Sequence, residues 1–184
     1  MRIIGGRFKG RIIQFLKTKN TRPLKDSVRE NIFNILSHSN EINVNLKNAF
    51  ILDLYSGIGS FGLECLSRGA KMVTFVEIDF EALKILKENL LKLSIHKHAE
   101  IIKNRIENIK KLKKKYNIFF LDPPFKDLQF IDNLKELKNQ KIYKKDHLII
   151  IHREKNSKDD FEGILKILNE KVYGRSKITF ALFK

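Results

Sequence analysis

The sequence predicts a doubly wound α/β domain, and three observations lead there. From residue 49 onward strand-length apolar segments alternate with amphipathic stretches. The strands read as continuous apolar blocks, such as Ile118-Phe119-Phe120-Leu121 and Leu148-Ile149-Ile150-Ile151, and a glycine-rich loop follows the first strand. Continuous blocks suit a sheet covered on both faces, because alternate side chains then point into two different cores.

Residues 2–15 read as a hairpin, in which Arg2-Ile3-Ile4 and Arg11-Ile12-Ile13-Gln14-Phe15 flank a glycine-punctuated turn from Gly5 to Gly10. A polar linker from Lys17 to Pro23 follows. Asp26 is the expected N-cap of a helix reaching Ser37, since Val28, Ile32, Ile35 and Leu36 make one apolar stripe. After a connection over 38–48, the spacing predicts strands at 49–54, 72–77, 99–103, 117–121 and 146–151. Helices are expected at 60–68, 79–93, 105–114, 127–138 and 158–169. Two closing strands, near 171–174 and 177–183, have only the short link Gly174 to Ser176, so they should form a hairpin and put one antiparallel strand into an otherwise parallel sheet. The lysines of 110–115 read as a solvated helix end.

With 184 residues, 42% of them hydrophobic, the chain can build a substantial core and suits one domain. Its 37 Lys and Arg against 21 Asp and Glu leave a net charge of +16, which points towards a polyanionic partner, because clustered cations release counterions from phosphates. A Lys-, Asn- and Ile-rich compositional bias would give the same balance without any binding role. No apolar run approaches the roughly 20 residues of a spanning helix, and the Met1 to Gly6 start has no signal-peptide core, so membrane insertion and secretion are not expected. The single cysteine, Cys65, cannot form an internal disulfide and reads as core, which suits a reducing, cytoplasmic setting. His96 and His98 flank Lys97 without a nearby Cys or carboxylate cluster, and no metal site is expected.

Gly57-Ile58-Gly59-Ser60-Phe61-Gly62 fits G-x-G-x-x-G between a strand and a helix, with Glu77 twenty residues after the first glycine. Asp53, inside the preceding strand, argues against a dinucleotide pyrophosphate, which its carboxylate would repel. A ligand with an ammonium, a sulfonium and a ribose fits better, and S-adenosylmethionine has all three. The loop would hug it, and Glu77 would accept from the ribose hydroxyls. The structural alternative makes the glycines a plain strand-to-helix turn and Glu77 a helix cap.

Asp122-Pro123-Pro124-Phe125 stands directly after the 117–121 strand, on the same rim as the glycine loop. The two prolines stiffen the turn, so the Asp122 carboxylate and the Pro123 carbonyl can point jointly at a planar amino group, while Phe125 offers a stacking face. An ordinary Pro-Pro turn with Phe125 in the core is the alternative. Arg7, Lys9 and Arg11 alternate, so in an extended hairpin they would share one face, fit for an RNA backbone or simply solvated.

The segment Leu52 to Glu64, the Val76-Glu77 strand end and Asp122-Pro123-Pro124-Phe125 resemble class I methyltransferases acting on amino nitrogens. More narrowly, Met1 to Arg11, Arg22 to Asn34 and Leu66-Ser67-Arg68-Gly69-Ala70 resemble the bacterial RsmD family, which methylates N2 of a guanine in small-subunit ribosomal RNA. The likeness spans nearly the whole chain. It implies a Rossmann-like class I methyltransferase domain over 1–184, with a mostly parallel seven-stranded sheet and a C-terminal antiparallel strand. Residues 1–22 would be a basic hairpin extension and linker, 23–48 an N-terminal helix and connection, and 49–184 the catalytic core. It also implies S-adenosylmethionine held by Asp53, Ser56, Gly57, Gly59, Glu77, Asn104 and Asp122, and catalysis at Asp122, Pro123, Pro124 and Phe125. Arg7, Lys9, Arg11, Arg22, Arg29 and Phe125 would meet ribosomal RNA or a small-subunit particle, with the protein a monomer. Two departures stand out. Leu24 follows Arg22-Pro23 where the family commonly has Thr, and Asn104-Arg105 replaces an acidic residue after the third strand, leaving Asn104 to bond the adenine amino group. A DNA adenine-N6 methyltransferase and a non-catalytic ribosome-assembly factor are the competing readings.

Overall fold

The computed structural model describes residues 1–16, 24–109 and 112–184. Its elements are α1 (Asp26–His38), β1 (Phe50–Leu54), α2 (Ser60–Ser67), β2 (Met72–Glu77), α3 (Phe80–Lys92), β3 (Ala99–Lys103), β4 (Tyr116–Leu121), α4 (Phe130–Asn139), β5 (Tyr143–Glu154), β6 (Leu165–Tyr173) and β7 (Ser176–Phe183). The seven strands form one sheet in the order β3-β2-β1-β4-β5-β7-β6, with β7 antiparallel to both of its neighbours and the other pairs parallel. The order reverses at β1, between β2 and β4. That reversal opens a crevice at the carboxyl ends of β1 and β4, where open α/β sheets bind their ligands.

Alternate residues of the central strands feed two cores. Ile51, Ile118, Phe120 and Ile150 face α1, α2 and α3, whereas Leu52, Leu54, Phe119 and Ile149 face α4 and the loops beside it. Phe61 of α2 stacks between Phe33 of α1 and Phe120 of β4, at centroid distances of 5.3 and 4.0 Å, so three elements are tied by one aromatic column.

Three expected elements differ. Among the described residues of 105–114 there is no α-helix, only a 3-10 turn at Ile106–Asn108; 110–111 lie outside the described residues. Like charges three and four apart disfavour a helix, and five of the six residues from 110 to 115 are lysine. Nor is 158–169 helical. Gly163 turns the chain at φ 68°, and Leu165 onward pairs with β7 as the long edge strand β6. The apolar spacing that resembled a helix is consumed by one short turn at 162–164 and a bulged strand. Finally, 2–15 is not a pair of strands. One antiparallel bridge, Arg2 with Ile12, closes a loop whose tip is a 3-10 turn at Gly6–Phe8.

This N-terminal loop is anchored by its backbone. Glu64, fully buried on α2, accepts from Ile4 N and Gly5 N at 2.8 and 2.7 Å and pairs with Arg68 at 2.8 Å. Ser67 Oγ accepts from Phe8 N and donates to the Gly5 carbonyl. Gly6 has φ 73°, and a Cβ there would stand 2.0 Å from the Ser67 carbonyl oxygen, so this close approach requires glycine. Arg29 of α1 is buried with the same cluster. Its guanidinium donates to the Arg2 carbonyl at 2.6 Å and to Asp26 at 2.9 Å, while its Nε lies 3.9 Å from Glu64. Burial lowers its pKa, and Asp26 and Glu64 oppose that shift. Arg29 is therefore a strut between the chain start and α1, not a surface contact for substrate. Asp26 begins the helix instead of capping it; the N-cap is Lys25.

Candidate active site

The crevice at the switch point is a cleft of about 700 Å³. On one side it is walled by Tyr55, Ser56, Gly57, Ile58 and Glu77, on the other by Asp122, Pro123, Pro124, Phe125 and His152, with Asn104 and Ile106 at the β3 end and Phe15, Leu16 and Leu24 from the chain start.

The loop after β1 bends at once. Tyr55, a non-glycine residue, takes φ 57°, Gly57 follows at φ 54° and Gly59 at φ 82°. A Cβ on Gly57 would meet nothing within 4 Å, leaving its backbone bare, whereas one on Gly59 would meet Leu86 Cδ1 at 2.4 Å. Gly57 thus keeps a space free for a ligand, and Gly59 lets the loop pack against α3. Glu77 at the end of β2 braces the loop: Oε2 accepts from Gly57 N at 2.7 Å, and Oε1 accepts from Ile78 N and Asp79 N at 2.8 and 2.9 Å. Oε2, with one bond, retains a lone pair for a ligand hydroxyl. The cap of α3 is Asp79, whose carboxylate accepts from Ala82 N, so Glu77 is not a helix cap. Ser56 Oγ is buried with no partner among the described residues, although the residue lines the cleft. An orphaned hydroxyl at the wall of a cleft fits a polar ligand atom.

Asp53 is placed differently from the expectation. It is 1% exposed, does not line the cleft, and accepts from Gly62 N at 3.0 Å, capping the first turn of α2 from beneath the loop. Burial raises its pKa, the Gly62 bond opposes that, and Asp122 and Glu77 reinforce it. Its carboxylate supports the loop and touches no ligand space. Asn104 does line the cleft, with its Oδ1 turned to Arg105 N at 2.9 Å and its Nδ2 to the Asn108 carbonyl at 3.4 Å. Ile78 and Ile106 face the same end, offering two apolar walls for a flat ring.

Asp122 continues β4, one oxygen held by a residue that sequence reasoning missed. His152 Nδ1 lies 2.7 Å from Asp122 Oδ1, and His152 Nε2 lies 2.9 Å from Ser176 Oγ. Phe125 is half-buried, meeting the His152 ring edge-on at 5.7 Å, and so is not a core residue. The next residue, Arg153, is also new to the site. Nearly fully buried, it donates to the carbonyls of Pro124 and Phe125 at 2.9 and 3.1 Å, forks onto Asp159, and stacks on Phe130. This arginine fixes the shape of the Pro-Pro turn. Its signal was available, because His152 and Arg153 follow the apolar run Leu148 to Ile151 and so stand at the same strand ends as Asp122. On the glycine-loop side, the Tyr55 hydroxyl accepts from Asn133 Nδ2 at 3.1 Å, and burial pushes the phenol pKa up.

Arg7, Lys9 and Arg11 are exposed, but the 3-10 turn breaks the alternation, and Ile12 beside Arg11 is itself 68% exposed. Arg22 lies outside the described residues. Cys65 is buried in α2, and burial raises its thiol pKa. His96 and His98 sit in a 3-10 turn, away from the cleft.

The family model described as Conserved hypothetical protein 95 matches residues 1–182. A relative named ribosomal RNA small subunit methyltransferase D, from Buchnera aphidicola subsp. Baizongia pistaciae, is 38% identical over 84% of this chain and 76% of its own length. YlbH of Bacillus subtilis, a proposed rRNA methyltransferase, is 31% identical over 100% of this chain and 98% of its own. Among solved structures, yhhF of Escherichia coli, a proposed methyltransferase, superimposes with a TM-score of 0.84 at 28% identity, covering 100% of this chain and 98% of that one. The architecture is accordingly the Rossmann-like class I methyltransferase fold. With that match running almost end to end, the chain belongs to the Conserved hypothetical protein 95 family, the RsmD family that its motifs resemble.

Proposed function

We propose that the protein transfers a methyl group from S-adenosylmethionine to the exocyclic N2 of a guanine in small-subunit ribosomal RNA. The observation that carries this reading is the pairing, across one cleft, of the braced glycine loop with Asp122-Pro123-Pro124-Phe125. The residues present fit the cofactor: Glu77 for the ribose hydroxyls, the bare Gly57 backbone and the orphaned Ser56 hydroxyl for the polar chain, Ile78, Ile106 and Asn104 for the adenine. When bound, the cofactor supplies a methyl group on a cationic sulfur.

The leaving thioether is neutral, so the chemistry demands alignment more than a strong base. Asp122 would accept a hydrogen bond from the substrate amino group and draw its nitrogen towards the geometry of attack, and the methylated nitrogen, cationic at that point, would lose its proton afterwards. Phe125 would stack on the base, and Arg153 keeps both on a rigid turn by holding the carbonyls behind them. The names of the relatives favour ribosomal RNA over DNA as the source of that amino group. The test is to incubate the protein with labelled S-adenosylmethionine and small-subunit RNA or particles lacking their own methylation, then to digest and identify the labelled nucleoside. N2-methylguanosine at one position is expected; label on an adenine, or none, overturns the reading.

A further inference from the structure

We propose that His152 is a positioning residue for methyl transfer, acting through Asp122: it locks one carboxylate oxygen so that the other is presented to the substrate amino group. This rests on the function proposed above and deepens it.

A carboxylate only accepts, so the 2.7 Å contact puts a proton on His152 Nδ1, while Nε2 meets the Ser176 hydroxyl at 2.9 Å. The chain of bonds therefore runs from Ser176 Oγ through the His152 ring, whose Nδ1–H donates to Asp122 Oδ1. Every member has its place fixed by the sheet. Asp122 follows the last residue of β4, His152 lies within β5, and Ser176 opens β7, which pairs antiparallel with β5. His152 is itself 4% exposed and wedged edge-on against Phe125, so its ring cannot swing away without displacing the stacking residue.

Asp122 sits at a strand end with its side chain 25% exposed in the cleft, and without a partner its carboxylate would rotate among rotamers. Among the described residues no other protein donor reaches the carboxylate, so Oδ2 is left to the cleft. An acceptor fixed in this way costs no reorganisation as the amino nitrogen changes geometry. Ser176 plays a lesser part: its hydroxyl, able to donate or accept, holds the far side of the ring, and Asp122 sets the proton on Nδ1.

The test compares His152→Leu, which keeps bulk but cannot bond, with His152→Asn, whose amide N–H can replace Nδ1–H, and with Asp122→Ala and the double variant. Melting temperature and cofactor affinity are measured for each before single-turnover transfer to small-subunit RNA is followed with both substrates saturating. The expected result is a rate lowered about 10- to 100-fold in His152→Leu, the loss typical of one charge-assisted bond, with cofactor affinity unchanged. His152→Asn should recover most of the rate, and the double variant should be no slower than Asp122→Ala. Nitrogen NMR of the unliganded wild-type protein should show His152 protonated at Nδ1. A wild-type rate in His152→Leu, an equal further loss when it is added to Asp122→Ala, or the opposite tautomer would overturn the proposal. If His152→Leu does not fold, a folded His152→Asn that is as slow as Asp122→Ala overturns it equally. Failure of the underlying reading looks different: the wild-type protein itself would then put no methyl group on an RNA amino nitrogen.

Discussion

The Asp53 carboxylate accepts the Gly62 amide proton at 3.0 Å, linking the middle of β1 to the first turn of α2 beneath the glycine loop. The bond satisfies one of the orphan donors of a helix N-terminus, and the group that makes it is enclosed. Burial raises its pKa above the ordinary 3.8, with Asp122 and Glu77 adding to the effect. The folded state therefore holds the Asp53 proton to higher pH than the unfolded chain does. Its contribution to stability is greatest near and below pH 3.8, falls as pH rises through the folded-state value, and is level above it. Asp53→Asn keeps an acceptor for Gly62 and removes the ionisation. Urea titrations across pH should show the variant at least as stable as wild type near neutrality, lacking that falling component. A variant several kcal/mol less stable at neutral pH would mean that the charge itself is needed.

Glu77 has two tasks, bracing Gly57 and offering acceptors to a ribose, and both are lost in Glu77→Ala. Cofactor affinity measured by calorimetry should fall by roughly 1.5–3 kcal/mol, about 10- to 100-fold, the range for hydrogen bonds to a charged group. Asp53→Asn, acting only through the loop's support, should weaken binding less. Ligand linkage gives a second measure, because saturating S-adenosylmethionine should raise the melting temperature of wild type more than that of Glu77→Ala. Equal affinity in wild type and Glu77→Ala would remove Glu77 from the cofactor site.

Arg29 and the exposed trio Arg7, Lys9 and Arg11 should separate cleanly. Arg29→Ala leaves Arg2 and Asp26 without their buried partner and Glu64 with one cation fewer, a loss of about 3–5 kcal/mol in stability if it behaves as other broken buried pairs do. The salt dependence of RNA binding should not change in a folded preparation. Replacing Arg7, Lys9 and Arg11 together by Ala should do the reverse: stability nearly constant, RNA affinity lower, and the slope of log affinity against log salt flatter by roughly two to three units. An unchanged slope would make the trio solvated surface.

The parallel core was legible because its signals are local and periodic. Continuous apolar runs gave β1, β2, β4 and β5, and apolar stripes gave α1 and α3, within a few residues of their bounds. The glycine loop and Asp122 turn were legible for the same reason, each being a contiguous motif beside a strand end. What escaped was set by partners distant in sequence. Asp53 and Glu77 both carry charges that suit a cofactor, but only the fold shows that Asp53 is spent on Gly62. Arg29 sits at an exposed-looking position on a helix, and it is buried because the chain start returns to cover it. His152 becomes meaningful only once β5 lies beside β4. The closing hairpin of 171–174 with 177–183 was legible from its short glycine link, but the first half of β6, residues 165–169, fits a helical period as well until β7 offers a ladder.

Asp122 and Phe125 should fail in different ways. Asp122 orients the amino group chiefly as nitrogen attacks, so Asp122→Ala should cut the single-turnover rate by about a hundredfold or more, near 2.7 kcal/mol, with cofactor affinity almost unchanged. Phe125 instead offers a face for the base. Phe125→Ala should lose roughly 1–3 kcal/mol of stacking and weaken capture of the target, while Phe125→Tyr should keep most activity. Because Phe125 is half-buried at the cleft, its truncation should cost less than the roughly 3–5 kcal/mol of a core phenylalanine, and Phe61→Ala, which breaks the aromatic column behind β4, supplies that comparison. The deciding measurement is methyl transfer by Asp122→Ala with cofactor and RNA both saturating. A wild-type rate there would make Asp122 a partner of His152 and nothing more, and would move the centre of the reaction away from the Pro-Pro turn.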